Sequence, residues 1–182
     1  KAGGPEGVEG ALVPAGYSWS GACLPQRAVA IHPSQRLVFF ALSGGTQGFV
    51  CAYRIDPVAK ALIPVPGSPF ATGGTPPDEL ALDPSGAFLY AVASDDGGVN
   101  AFAIDAATGA LTAIAGSPFA TARNPHGVVV DPGGRFVYVA TQAYKTAAST
   151  VSAYAIDAIT GGMYKLKPEE IKAVTDYVKS MK

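Results

Sequence analysis

The hexapeptide Gly67-Ser68-Pro69-Phe70-Ala71-Thr72 returns 49 residues later as Gly116-Ser117-Pro118-Phe119-Ala120-Thr121. Other landmarks keep nearly the same spacing. His32-Pro33, Asp83-Pro84 and Asp131-Pro132 each precede a turn and an apolar run, and Ile55-Asp56, Ile104-Asp105 and Ile156-Asp157 each end a later one. Leu12, Leu62, Leu111 and Met163 follow one another at gaps of 50, 49 and 52. A fixed period of this length means one supersecondary unit used repeatedly. Such a unit cannot bury its apolar face alone and must stack on a neighbour.

The second unit displays the pattern within one period. Glu79 to Leu82, Phe88 to Ala93, Val99 to Ile104 and Leu111 to Ile114 are short runs rich in Val, Ile, Phe, Tyr and Leu. Turns at Asp83-Pro84-Ser85-Gly86, Asp95-Asp96-Gly97-Gly98 and Asp105 to Gly109 separate them. Asp bonds its own downstream backbone, Pro presets φ, and Gly accepts a left-handed geometry, so these residues are read as turn formers and not as an acid cluster. Four strands per period of about 50 residues make a blade of a β-propeller. The expected fold class is all-β, with four-stranded antiparallel meanders stacked as blades in an incomplete ring, plus one C-terminal amphipathic helix.

Composition agrees with a well-packed chain: 48% of residues are hydrophobic and 15% charged. Thirteen basic and 14 acidic residues leave a net charge of -1, with no basic stripe for nucleic acid. No apolar run approaches the roughly 20 residues of a transmembrane helix. Lys1-Ala2-Gly3-Gly4 lacks the apolar core of a signal peptide, so an exported protein would be a processed form or a portion of a longer chain. Cys23 and Cys51 fit neither a zinc pattern nor a C-x-x-C-H haem-attachment pattern. Two buried thiols and a disulfide both remain open to them.

Gly10-Ala11-Leu12 matches the outer strand of a preceding unit, so the chain is expected to begin mid-blade. Two complete units and three strands of a third follow. Propellers close with about four to eight blades, so the remainder is expected from other protein subunits or from further blades.

The runs Leu82-Asp83-Pro84-Ser85-Gly86-Ala87-Phe88-Leu89-Tyr90, Val130-Asp131-Pro132-Gly133-Gly134-Arg135-Phe136-Val137-Tyr138 and Val151-Ser152-Ala153-Tyr154-Ala155-Ile156-Asp157 carry a resemblance. Over residues 10–163 the chain resembles the lactonase-type seven-bladed propellers, the 6-phosphogluconolactonase-like family. In that family a Pro-His element precedes an inner strand near the central channel, and Asn124-Pro125-His126-Gly127 matches it. The resemblance implies His126 as general acid/base of lactone ring opening, histidine being the side chain suited to proton transfer near neutrality. Arg123 and Glu79, at the mouths of neighbouring blades, are then the candidate charges around a sugar-acid substrate.

At residue 163 the pattern changes, dividing the chain into blades over 1–162 and a tail over 163–182. Pro168, Glu169 and Glu170 suit the start of a helix, and Lys179 and Lys182 its end. Leu166, Ile171, Val174, Val178 and Met181 recur at helical spacing and form one apolar face. The run from Leu166 to Val178 resembles the last helix of class I c-type cytochromes. That resemblance implies Met163 as an axial haem ligand, with haem c present only if a further domain brings the attachment motif. No cofactor is expected in this chain itself.

Three functions follow in order: a non-catalytic interaction or scaffold module of a larger exported assembly, a lactonase-type hydrolase, and part of an electron-transfer protein. The propeller type and the cytochrome-like tail point to the periplasm or cell surface.

Overall fold

The computed structural model describes residues 18–19, 23, 27–44, 46–94, 97–142, 149–167, 169–172 and 176. They form three sheets that follow the sequence period, antiparallel except for one two-residue edge strand. The first contains β1 (Ser18–Trp19), β2 (Val29–Ile31), β3 (Leu37–Gly44), β4 (Gln47–Asp56), β5 (Ala61–Pro64) and β6 (Phe70–Ala71). The second contains β7 (Glu79–Leu82), β8 (Phe88–Ala93), β9 (Gly98–Ile104), β10 (Leu111–Ala113) and β11 (Phe119–Ala120). The third contains β12 (Pro125–Val130), β13 (Phe136–Thr141), β14 (Thr150–Ile156) and β15 (Met163–Lys165).

Each sheet is built on a four-stranded meander, β2-β3-β4-β5, β7-β8-β9-β10 and β12-β13-β14-β15. The inner strand β7 lies between β2 and β12, so the sheets stack as consecutive blades. Among the described residues they do not close into a ring.

The turn chemistry is local and repeated. Asp83 accepts the Phe88 and Ser85 N–H groups at 2.7 and 3.0 Å. Asp131 accepts those of Phe136 and Arg135, both at 2.7 Å. Asp105 and Asp157 each accept two N–H groups of the loop between the third and fourth strands. Their carboxyls are therefore held below the usual range, chiefly by the Thr108 and Thr160 N–H groups. These aspartates are bound to backbone and are not assembled into an acid site.

Two features differ from the sequence reading, and a third decides between alternatives it left open. The repeated Gly-Ser-Pro-Phe element makes a fifth short strand, with β6 pairing β4 and β11 pairing β9. Its serine is the reason for the repetition: Ser68 Oγ accepts the Ala52 N–H at 3.0 Å, and Ser117 Oγ accepts that of Ala101 at 2.9 Å. The third unit supplies four strands instead of three, because Met163 continues the blade opposite Ile156. Cys23 and Cys51 form a disulfide, with their Cα atoms 6.2 Å apart.

Two apolar layers hold the blades together. Leu37, Phe39 and Ala41 of the first blade meet Leu80, Leu89 and Phe102 of the second. Phe88, Tyr90 and Val92 of the second meet Val128, Val137 and Met163 of the third. Alternation explains this, since successive residues of each middle strand point to opposite neighbours. Tyr90, fully buried, donates its hydroxyl to the Gly161 carbonyl at 3.0 Å across the second layer. Burial, with Asp83 nearby, pushes its hydroxyl far above the usual tyrosine range.

The tail is helical at residues 169–172 and 176, where Lys172 pairs with Asp176 at 2.9 Å. Glu170 turns back to accept the Lys167 N–H at 2.7 Å, satisfying a free donor at the helix start. Val174, Val178 and Met181, on which the apolar face depends, lie outside the described residues, as does Gly10-Ala11-Leu12. No described helix is long and apolar enough to cross a membrane.

Candidate functional site

Pro77 and Pro125 are fully buried at the starts of the second and third inner strands, and the residue after each is polar. His126 lies at a register shift: Pro125 opposes Thr141 and Gly127 opposes Ala140, which leaves His126 as the extra residue of β12. A bulge of this kind re-aims one side chain without breaking the sheet. Asn124, just upstream, has φ +62°, and its carbonyl accepts the Gln142 N–H at 3.0 Å. Asn is the non-glycine residue that enters the left-handed region most readily. Together a left-handed Asn, a buried Pro and a bulge set the direction of His126, which stays 44% exposed.

Asp78 holds the equivalent place in the second blade. Its Oδ2 lies 4.0 Å from His126 Nδ1 and accepts the Ser94 N–H at 2.9 Å, while Oδ1 is bound by the Arg27 guanidinium. Its side chain is 12% exposed. Burial raises its proton affinity, but the Ser94 hydrogen bonds and Arg27 outweigh this and hold the carboxyl below the usual range. Arg27, Asp78 and His126 thus come from three consecutive blades and meet at their inner strands, in the charge order plus, minus, imidazole.

Of the residues singled out by sequence, Glu79 starts β7 next to Asp78, and its Oε2 stands 3.5 Å from where a Cβ on Gly127 would lie, an ordinary contact distance. Arg123 lies exposed between β11 and β12 and forms no ion pair with Glu79 or His126 among the described residues. Met163 is elsewhere, buried between the second and third blades, where its flexible thioether fills the apolar layer. Arg27 and Asp78 were not singled out from sequence. The signal for Asp78 is its place directly after the blade's buried proline, the same as that of His126.

Chemically the cluster offers an imidazole with one ring nitrogen facing an ionised carboxylate. The two groups stand 4.0 Å apart, within ion-pair range and beyond direct hydrogen-bond distance. Among the described residues no group of three or more His, Cys, Asp or Glu is placed to hold a metal ion.

Comparison with curated proteins gives no match. Solved structures give the fold. A candidate 6-phosphogluconolactonase from Bacteroides fragilis aligns with a TM-score of 0.62 and 21% identity, over 76% of this chain and 37% of that one. The periplasmic gluconolactonase of Pseudomonas aeruginosa aligns at 0.56 and 20%, over 78% and 39%. Hydrazine synthase of Kuenenia stuttgartiensis aligns at 0.52 and 18%, over 82% and 38%. The chain therefore spans less than two fifths of the length of each of these three structures. The lactonase, 7-bladed β-propeller family itself matches residues 13–120. With its blades stacked in sequence order and its family match running from residue 13 to residue 120, the chain belongs to the lactonase, 7-bladed β-propeller family.

Proposed function

We propose that the chain supplies part of the channel wall of a lactone-hydrolysing propeller, with His126 as its general acid/base. The observation that carries this reading is the meeting of Arg27, Asp78 and His126 from three consecutive blades, with Asp78 Oδ2 4.0 Å from His126 Nδ1. In the reaction, water adds to the lactone carbonyl carbon and His126 takes its proton. The ring carbon–oxygen bond then breaks, and the ring oxygen receives that proton. Asp78 stabilises the imidazolium in between. Glu79, next to Gly127, fits the hydroxyl groups of a sugar lactone, and Arg123 fits a negatively charged substituent at the rim.

The test is hydrolysis of gluconolactone and of its 6-phosphate by the purified protein. His126→Ala is expected to lower kcat about 100-fold or more, the usual contribution of a positioned acid/base. Asp78→Asn is expected to lower it about tenfold with KM little changed. Equal turnover by wild type and His126→Ala removes the reading.

A second reading, a non-catalytic module completed by other subunits or further blades, draws support from the apolar residues at both ends of the stack. Val29 and Ile31 are 60% and 62% exposed at one end, and Val151 is 70% exposed at the other. Native mass measurement on material from the source cell distinguishes the two, a lone chain without partners counting against the module. For either protein the Cys23–Cys51 bond supports a place outside the cytoplasm, since structural disulfides persist in oxidising compartments.

A further inference from the structure

Around the start of the inner strand the second and third blades correspond at a spacing of 48 residues. Pro77 matches Pro125, Asp78 matches His126, and Ser94 matches Gln142. Ser94 and Gln142 each follow the last residue of a second strand, β8 or β13. The N–H of a residue in that place needs an acceptor as the chain leaves the sheet. In the third blade the acceptor is backbone. The Asn124 carbonyl takes the Gln142 N–H at 3.0 Å, and Asn124 Nδ2 donates back to the Gln142 carbonyl at 3.4 Å.

The second blade meets the same need with a side chain. Pro76 stands in the place of Asn124, and the Ser94 N–H goes to Asp78 Oδ2 at 2.9 Å. The Asp78 N–H donates to the Val92 carbonyl at 2.7 Å, so residue 78 is tied to the end of β8 by its backbone and again by its carboxylate. The Ser94 hydroxyl adds a further hydrogen bond to that carboxyl.

The two carboxylate oxygens are thereby divided. Oδ1 is bound by Arg27 of the first blade, and Oδ2, held by Ser94, stands 4.0 Å from His126 Nδ1 of the third. Glu79 follows next in the chain, and with Arg27 and His126 it completes the charged and titratable groups around Asp78 among the described residues. Arg27 is 48% exposed and reaches Asp78 on a long side chain, whereas Ser94 is half-buried and donates from the end of a strand. A donor on ionised oxygen makes a bond about twice as strong as a neutral one. The rotation of the carboxylate is therefore set from Ser94.

We propose that Ser94 is a positioning residue of the His126 site, fixing the Asp78 carboxylate through its N–H and hydroxyl so that Oδ2 faces the imidazole of the next blade. This rests on the reading of His126 as the acid/base of the site. Ser94 acts through Asp78 and takes no part in proton transfer itself.

The test is a double-mutant cycle on the 182-residue chain, with Ser94→Ala placed in the wild-type and Asp78→Asn backgrounds. In wild type, Ser94→Ala is expected to lower kcat for gluconolactone about three- to fivefold, with KM changed by less than about twofold. In Asp78→Asn it is expected to lower kcat by less than about 1.5-fold, because no carboxylate is left to position. Ser94→Thr keeps the hydroxyl and is expected to stay within about twofold of wild type. Independently of turnover, the carboxyl-carbon NMR signal of Asp78 is expected to titrate at higher pH in Ser94→Ala, since a hydrogen bond to the charged form is gone. Equal loss of kcat in both backgrounds overturns the inference, because the serine would then act on the fold and not through Asp78. An Asp78 titration left in place by Ser94→Ala overturns it too, as does Ser94→Thr behaving like Ser94→Ala. Equal turnover by wild type and His126→Ala removes instead the reading of the site on which the inference rests. Failure of the inference alone is told apart from this, since His126→Ala then loses turnover while Ser94→Ala does not distinguish the two backgrounds.

Discussion

Asp78 is a residue on whose ionisation the stability of the fold is expected to depend. Its carboxyl is held below the usual range, chiefly by Ser94 and Arg27 acting against burial. A depressed carboxyl adds stability above its unfolded value of about 4, and that stability is lost as pH falls through the lower folded value. Chemical denaturation of wild type is therefore expected to be insensitive to Asp78 from neutrality down to about pH 4 and to weaken below it. Asp78→Asn should flatten that acid limb. Glycine has an equally local reading. Gly161→Ala places a Cβ 2.4 Å from the Phe88 ring at φ +71° and is expected to cost about 1–3 kcal/mol in urea unfolding. Lys60→Gly, at the equivalent place in the first blade, is expected to change stability by less than about 1 kcal/mol.

Individual elements are held by side chains that repeat with the blade. Ser117 Oγ takes the Ala101 N–H, a donor of a fully buried residue in the third strand. Ser117→Ala is expected to cost about 1–2 kcal/mol, the range for leaving a buried donor unpaired. Hydrogen exchange at Ala101 should accelerate more than at Ala52, whose partner Ser68 is untouched. Strand limits were legible at this scale: Glu79–Leu82 and Phe88–Ala93 fall where alternation and turn residues put them. The short strands β6 and β11 were not legible, because two residues carry no periodicity and their pairing is with a strand about 20 residues back. The bulge at His126 was hidden for a similar reason, since a register shift exists only relative to the partner strand.

For the molecule as a whole the disulfide is the main covalent constraint. It closes a separation of 28 residues, which the chain-entropy account converts to about 3–4 kcal/mol. Cys51→Ser is accordingly expected to lower the thermal midpoint by several degrees, roughly 2 to 4 °C per kcal/mol at this size, read by differential scanning calorimetry. A retained midpoint would mean that the bond adds no net constraint to the folded chain.

The sequence alone determined the blade: its period, its four main strands, its Asp-led turns and the place of His126 after a buried proline. These follow from local rules, alternation along a strand and the φ preferences of Asp, Pro, Asn and Gly, which need no knowledge of neighbours. Only the tertiary structure decided that Arg27 and Asp78 stand beside His126, and that Met163 is a core residue of a fourth strand. It alone joined Cys23 to Cys51. Each of these depends on the lateral distance between blades, which is set by how apolar faces stack and is invisible along a single chain.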